Sequence, residues 1–188
     1  MIQVLSKPLT LEAFLALPET KPASEFIDGQ IFQKPMPQGQ HSRLQQKLTA
    51  AINLITEDTH IALALPELRC TFGGRSTVPD IAVFTWDRLP TDPDGAIENQ
   101  FNAQPDWVIE ILSPDQSMTR VTRNILHCLE HGSQMGWLID PQEQAVLVYQ
   151  PTQQTQFFEQ ESDRLPAPTF LPDFSLTVGK LFGWLKLN

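Results

Sequence analysis

Cysteine is nearly absent from this chain of 188 residues: Cys70 and Cys128 are the two it has. Neither stands in a C-x-x-C pair, which excludes a disulfide framework and a cysteine-rich zinc site, and both read as small buried hydrophobes. No run approaches the roughly 18 consecutive apolar residues that suggest a membrane span. The first eight residues, Met1 to Pro8, are too few and too polar to read as a secretory signal. These absences lead to the expectation of a cytoplasmic protein with no membrane partner. Basic residues are scarce too: 13 Lys and Arg stand against 22 Asp and Glu, a net charge of −9. A general nucleic-acid binder carries a basic stripe, so the balance counts against one, although clustered carboxylates are expected wherever metal is held. Internal repeats and long low-complexity tracts are also lacking.

What is present is the patterning of a soluble globular chain, with 41% hydrophobic and 19% charged residues, long enough to bury one core. Thr10 caps a short helix that Pro18 stops. Asp28-Gly29 signals a hairpin between Ser24 and Phe32. A helix is predicted from about 42 to 57, where Ser42 and Gln45 have capping-box spacing and Leu44, Leu48, Ala51, Ile52 and Ile55 share a face. A strand over 68–72, a Gly73-Gly74 turn and a strand headed by Asp80 follow. The stretch from Thr85 to Pro105, rich in Pro, Asp, Gly and Asn, reads as a long surface loop, either a substrate flap or a tolerated insertion. A helix over 118–130 ended by Gly132, strands over 135–140 and 145–149, and an apolar helix from about 178 to 187 complete the pattern. The order predicts a mixed sheet with helices, α/β or α+β, in a single domain over 1–188. Its core lies at about 24–150, and the N-terminal helix and C-terminal extension pack on it.

Two acids break the apolar pattern. Asp80 heads the run Val78-Pro79-Asp80-Ile81-Ala82-Val83-Phe84, and Glu110 interrupts Trp107-Val108-Ile109-Glu110-Ile111-Leu112. A carboxylate inside an oily strand is costly to bury unless it is paired, hydrogen-bonded or bound to a metal. Two of them in two strands of one small domain suggest a shared cation, and a cation held by carboxylates is a common means of cutting phosphodiesters. Plainer readings stand beside this one. Asp80 at a strand entrance would pair with a backbone amide or an arginine, and Glu110 would point to water if its strand has one wet face.

Glu25-x-x-Asp28-Gly29, His41, Pro79-Asp80, Ile109-Glu110-Ile111-Leu112-Ser113-Pro114 and Gly136-Trp137-Leu138-Ile139-Asp140-Pro141, in that order and spacing, resemble the Uma-two family of restriction-endonuclease-like proteins. The resemblance runs over roughly 25–149. It implies the PD-(D/E)xK nuclease fold, a central mixed sheet flanked by helices, and an endonuclease acting on nucleic acid. It further implies that Asp80 and Glu110 bind Mg²⁺ or Mn²⁺, that Glu25 adds a third carboxylate, that His41 touches a phosphate or water, and that a lysine stabilises developing charge.

That lysine is missing here. Glu110-Ile111-Leu112 has none two positions after the acid, and the other position the resemblance offers, eight residues before the helix-ending Gly132, is Asn124. An amide cannot supply the cation. Arg120 lies one turn earlier on the same flank of the predicted helix, so its guanidinium is the expected substitute, able to stabilise phosphate charge but poor as a proton acceptor. His127 and His131 share that flank. With no third ligand to assign, they read as the polar edge of an amphipathic helix. Three functions follow. The first is a metal-dependent nuclease hydrolysing phosphodiester bonds. The second is a degenerate nuclease fold serving as a binding or scaffold module, which Asn124 and the acidity favour. The third is a metal-dependent hydrolase of a smaller phosphorylated substrate. A homodimer is expected only by analogy with nucleases that cut two strands.

Overall fold

The apolar strands assemble side by side into one large sheet whose two faces are covered by different partners. The computed structural model describes residues 9–114 and 116–187, so the reading of residues 1–8 lies outside it. Helix α1 (Leu11–Leu15) is capped as expected, with Thr10 Oγ1 accepting from the Ala13 N–H at 3.2 Å. Strands β1 (Ser24–Ile27) and β2 (Gln30–Gln33) form the predicted hairpin. Its turn residues Asp28 and Gly29 both have positive φ, 50° and 81°, the backbone that a two-residue turn between twisted strands requires. Helix α2 (Gly39–Thr56) leads to β3 (Ala62–Pro66), β4 (Cys70–Phe72), β5 (Arg75–Thr77) and β6 (Ile81–Thr85). Then come β7 (Trp107–Ile111), α3 (Met118–Glu130), β8 (Met135–Asp140), β9 (Ala145–Tyr149), β10 (Gln156–Phe158) and α4 (Val178–Gly183).

Among the described residues the strands form two sheets. The larger has the order β10-β9-β8-β7-β6-β3 and the smaller β2-β1-β5-β4. In the larger, β7 and β8 run parallel with α3 as their crossover, while the other pairings are antiparallel. This is the mixed sheet flanked by helices that the pattern predicts. The separate small sheet is an addition, because β5 is short and lies hidden between a glycine turn and Asp80. No helix of the described residues is long and apolar enough to cross a membrane.

Period-two alternation divides the core. Trp107, Ile109 and Ile111 of β7, with Ile81 and Val83 of β6, bury against Leu44, Leu48 and Ile52 of α2 and Leu181 of α4. The opposite face presents Val108 and Leu138 to Val121, Ile125 and Cys128 of α3. On that same face Ala82 and Phe84 meet Cys70 and Phe101. Gly136 lets α3 approach β8 closely, since a Cβ there would run into Ile125 Cγ2.

Three expectations change. Helix α2 starts at Gly39 rather than near Ser42, with Gln38 as an N-cap that makes no side-chain bond. Ser42 and Gln45 therefore lie inside the helix, and the Gln45 amide donates to the Asp80 carbonyl at 2.8 Å instead of closing a capping box. Helix α4 stops at Gly183, short of the predicted end. The loop after β6 opens with a 3-10 turn, Trp86–Arg88, and is tied down where Phe101 packs on Phe84.

Candidate active site

The alternation that fills the core also decides where the acids go. Glu110 shares the parity of Val108, so it faces the α3 side of the sheet. β6 pairs with β7 so that Ile81 stands opposite Ile109. Carried one step further, that register sets Asp80, the residue before β6, opposite Glu110. Both are almost wholly buried, at 1% and 3% exposure. The wet-face reading of Glu110 is thereby overturned, since every residue of β7 is buried. Asp80 Oδ2 accepts from the Ile111 N–H at 2.7 Å, which extends the strand pairing through a side chain. Glu25 arrives from the small sheet, also buried, and its Oε1 accepts from the Val78 N–H at 2.8 Å.

Sequence reasoning does not find the cation of this cluster, which is Lys34. It directly follows β2, and its ammonium lies 2.6 Å from Asp80 Oδ1 and 3.7 Å from Glu110 Oε2 while donating to the Val78 carbonyl at 2.7 Å. Nothing in the run Gln33-Lys34-Pro35 marks the side chain as inward-facing. The available signal was indirect: two acids in buried strands, which require a counter-charge from somewhere in the chain.

The four groups set one another's protonation. Burial works against the Lys34 charge, but Asp80, Glu110 and Glu25 outweigh it and hold the ammonium above the usual lysine range. Burial would also raise Asp80, yet the Lys34 charge and the His41 hydrogen bond keep its carboxyl well below the usual range. Glu110 goes the other way. Burial lifts it well above the carboxylate range against the pull of Lys34, and the charges of Asp80 and Glu25 add to the rise. Burial raises Glu25 as well, with Lys34 and the Val78 N–H opposing. The cluster thus holds Asp80 lowered, Lys34 raised, and Glu110 and Glu25 both raised by burial, so a further positive charge would favour ionisation of the two glutamates.

The remaining predicted residues are placed as follows. His41 sits inside the first turn of α2 rather than before the helix, and it is buried. Its Nε2 lies 3.1 Å from Asp80 Oδ2, so with the hydrogen on Nε2 it donates to the carboxylate, while Nδ1 is buried without a partner. Asn124 is buried, donates from Nδ2 to Glu25 Oε2 at 3.4 Å, and leaves its Oδ1 unpartnered. Arg120 is exposed and does not join the cluster. Its guanidinium lies over the Phe32 ring, 4.4 Å from the centroid, and it forms no ion pair among the described residues. The substitution of Arg120 for the expected lysine is therefore corrected: Phe32 takes the guanidinium outside the cluster. His127 stacks on Phe72 at 4.9 Å, and both cysteines are buried and free.

A cleft of about 430 Å³ opens on Asp80. Lys34, His41, Val78 and Ser113 line it, with Thr20, Pro22 and Met36 among its walls. No residue of the 85–105 loop lines this cleft.

The donor set bears on whether a metal fits. Asp80 Oδ1, Glu110 Oε2 and the Val78 carbonyl already surround one cationic atom, Lys34 Nζ. Hard oxygens of this kind suit Mg²⁺ or Mn²⁺, and Mg²⁺ commonly takes only one or two carboxylates and keeps several waters. Glu25 is turned toward Val78 and Asn124, and among the described residues no group of three His, Cys, Asp or Glu side chains is arranged to hold an ion. The three-carboxylate ligand set expected from the resemblance is thus not assembled, whereas two carboxylates and a carbonyl are.

A family model described as "Putative restriction endonuclease" matches residues 11–179. A solved crystal structure, of a "putative nuclease belonging to DUF820" from Anabaena variabilis, is 56% identical with a TM-score of 0.94, and the match covers 95% of this chain and 100% of that one. None of the curated proteins matches.

Proposed function

Because the chain belongs to the Uma-two family, whose model spans residues 11–179, we propose that it is a divalent-metal-dependent nuclease hydrolysing phosphodiester bonds of nucleic acid. One observation carries the reading: Asp80 and Glu110, set opposite each other across β6 and β7, lie buried together beside a cleft and share one ammonium. Asp80, Glu110 and the Val78 carbonyl would hold Mg²⁺ or Mn²⁺. Such an ion supplies positive charge that activates water and offsets the charge of the phosphate.

The chain's own groups do the rest. Lys34 keeps Asp80 ionised, and the Ile111 N–H and His41 fix the direction of its carboxylate. Burial raises Glu110 against the pull of Lys34, so its carboxyl would ionise more readily beside an added positive charge. In the hydrolysis, the water oxygen bonds to phosphorus as its proton is lost, the bond from phosphorus to the leaving sugar oxygen breaks, and that oxygen takes up a proton.

The scaffold reading keeps one specific support, the net charge of −9, which opposes binding of a long polyanion. A single experiment separates the two. Purified protein is titrated with Mn²⁺ by calorimetry and incubated with single- and double-stranded DNA and RNA, beside Asp80→Asn. The parent is expected to bind and cleave, and the variant to do neither. Metal binding without cleavage by the parent supports the scaffold, and a parent that neither binds nor cleaves sinks the nuclease reading.

A further inference from the structure

We propose that Lys34, delivered from the end of the β1–β2 hairpin, does the work of the lysine absent from α3, and that positions 34 and 124 are exchangeable sources of that one ammonium. The proposal rests on the nuclease reading and adds a substrate-facing residue to it. Two observations carry it. The Lys34 Nζ reaches Asp80, Glu110 and Val78 while lining the cleft, so one side of the ammonium faces the acids and another faces whatever enters. From the other side, Asn124 already points into the same cluster, 3.4 Å from Glu25, with a buried Oδ1 that finds no partner. A side chain at 124 therefore has the direction to serve the site, and the amide there serves it poorly.

Charge explains why one lysine is enough. Lys34 already takes oxygens of Asp80 and Glu110, at 2.6 and 3.7 Å, and both Glu25 oxygens are engaged, by the Val78 N–H and by Asn124. A second buried ammonium would lie close to the first, and like charges repel strongly in a dry site. A neutral residue at 124 is the arrangement that fits a lysine at 34.

Sharing oxygens with a metal has a further consequence. The ammonium occupies the place between Asp80 Oδ1, Glu110 Oε2 and the Val78 carbonyl that a divalent ion would take. An ion held by Asp80 and Glu110 would compete with the ammonium for their oxygens, and the flexible four-carbon stem of Lys34 would let it turn toward the cleft, where an anionic phosphate would receive it. Lys34 thus acts as a counter-ion before the metal arrives and as a phosphate contact afterwards.

The test uses the full chain, Lys34→Met and the double variant Lys34→Met/Asn124→Lys, with Mn²⁺ calorimetry and nucleic-acid cleavage as separate readouts. Circular dichroism checks folding, and Lys34→Gln, which can still donate to the Val78 carbonyl, replaces the methionine variant if that one unfolds. Losing a single electrostatic donor to the transition state slows cleavage by about 10²–10³-fold. Losing a competing ammonium tightens Mn²⁺ binding, by about tenfold on the scale of groups next to a metal. The double variant is expected to recover cleavage to within about tenfold of the parent. A lysine-less variant that cleaves at the parent rate, or binds Mn²⁺ no tighter than the parent, overturns the proposal while leaving the nuclease standing. A double variant as slow as Lys34→Met overturns the exchange of positions. A parent that neither binds Mn²⁺ nor cleaves overturns the nuclease and this proposal together.

Discussion

Asp80→Asn and Glu110→Gln are nearly isosteric changes, yet they should affect the metal-free protein very differently. Asp80 accepts from Lys34 Nζ at 2.6 Å, from the Ile111 N–H at 2.7 Å and from His41 Nε2 at 3.1 Å. An amide has one acceptor oxygen, so if that oxygen keeps Ile111 and His41, its NH₂ faces the Lys34 ammonium, donor against cation. Lys34 is then left with Glu110, 3.7 Å away. Breaking a buried pair by removing one partner costs about 3–5 kcal/mol. Ionisation of Glu110 to meet the stranded ammonium returns part of this, leaving about 2–4 kcal/mol. For a chain of this length that lowers the melting temperature by roughly 5–15 °C. Glu110 already favours its neutral form, so the glutamine variant should stay within about 1 kcal/mol of the parent. The assay is thermal unfolding near neutral pH in excess chelator, followed by circular dichroism. Equal losses in the two variants, or an Asp80→Asn protein that melts with the parent, would refute the assignment of charge within the cluster.

Three further outcomes follow from the same structure. Glu110 is raised on folding, so its stabilising contribution is complete below the unfolded value of 4.5 and is lost as pH rises toward the folded one. The melting temperature of the metal-free parent should therefore fall relative to Glu110→Gln as pH rises above 4.5, and a constant difference across the rise would count against it. His41→Gln should weaken Mn²⁺ binding by about 10–100-fold because it loosens the support of Asp80, and unchanged calorimetric affinity would show that the Ile111 N–H alone suffices. Gly136→Ala should lower the urea midpoint by about 1–3 kcal/mol of stability, since its methyl group has to displace Ile125, and a midpoint equal to the parent's would show that α3 can lift off β8 freely.

The legible part of the site was the part that broke a rule. Glu110 announces itself because a charge in Trp107-Val108-Ile109-Glu110-Ile111-Leu112 has no cheap place to go, and the fold puts it in a dry interior opposite Asp80. Strands β8 and β9 and helix α3 fall where their periodicity puts them, because each is long and strongly patterned. β3 reads Ala-Leu-Ala-Leu-Pro, residues with little strand preference, and forms because β6 offers it an edge. β5 and β10 are three residues each, too short for alternation to register. Lys34 was invisible for a different reason. Its partner Asp80 lies 46 positions away, and the polar hairpin end that carries it looks solvent-exposed until the second sheet is placed. Helix geometry put Arg120 on a plausible flank, but a flank has many neighbours, and Phe32 proved the nearer one.

The separation of the cluster between two sheets also bears on when its charges meet during synthesis of the chain. Asp80 and Glu110 belong to the large sheet, Glu25 to the small one, and Lys34 follows the small sheet's edge strand. The contact between Glu25 and Asn124 spans 99 positions. A nascent chain that has made the hairpin but not yet reached Val78 and Asp80 carries the lysine and one acid with no partner for either. Contacts this distant in the chain are late and slow to form. The cluster is thus complete only when the hairpin, β6 with β7, and α3 have closed on one another, so its charges come to balance late in the assembly of the fold.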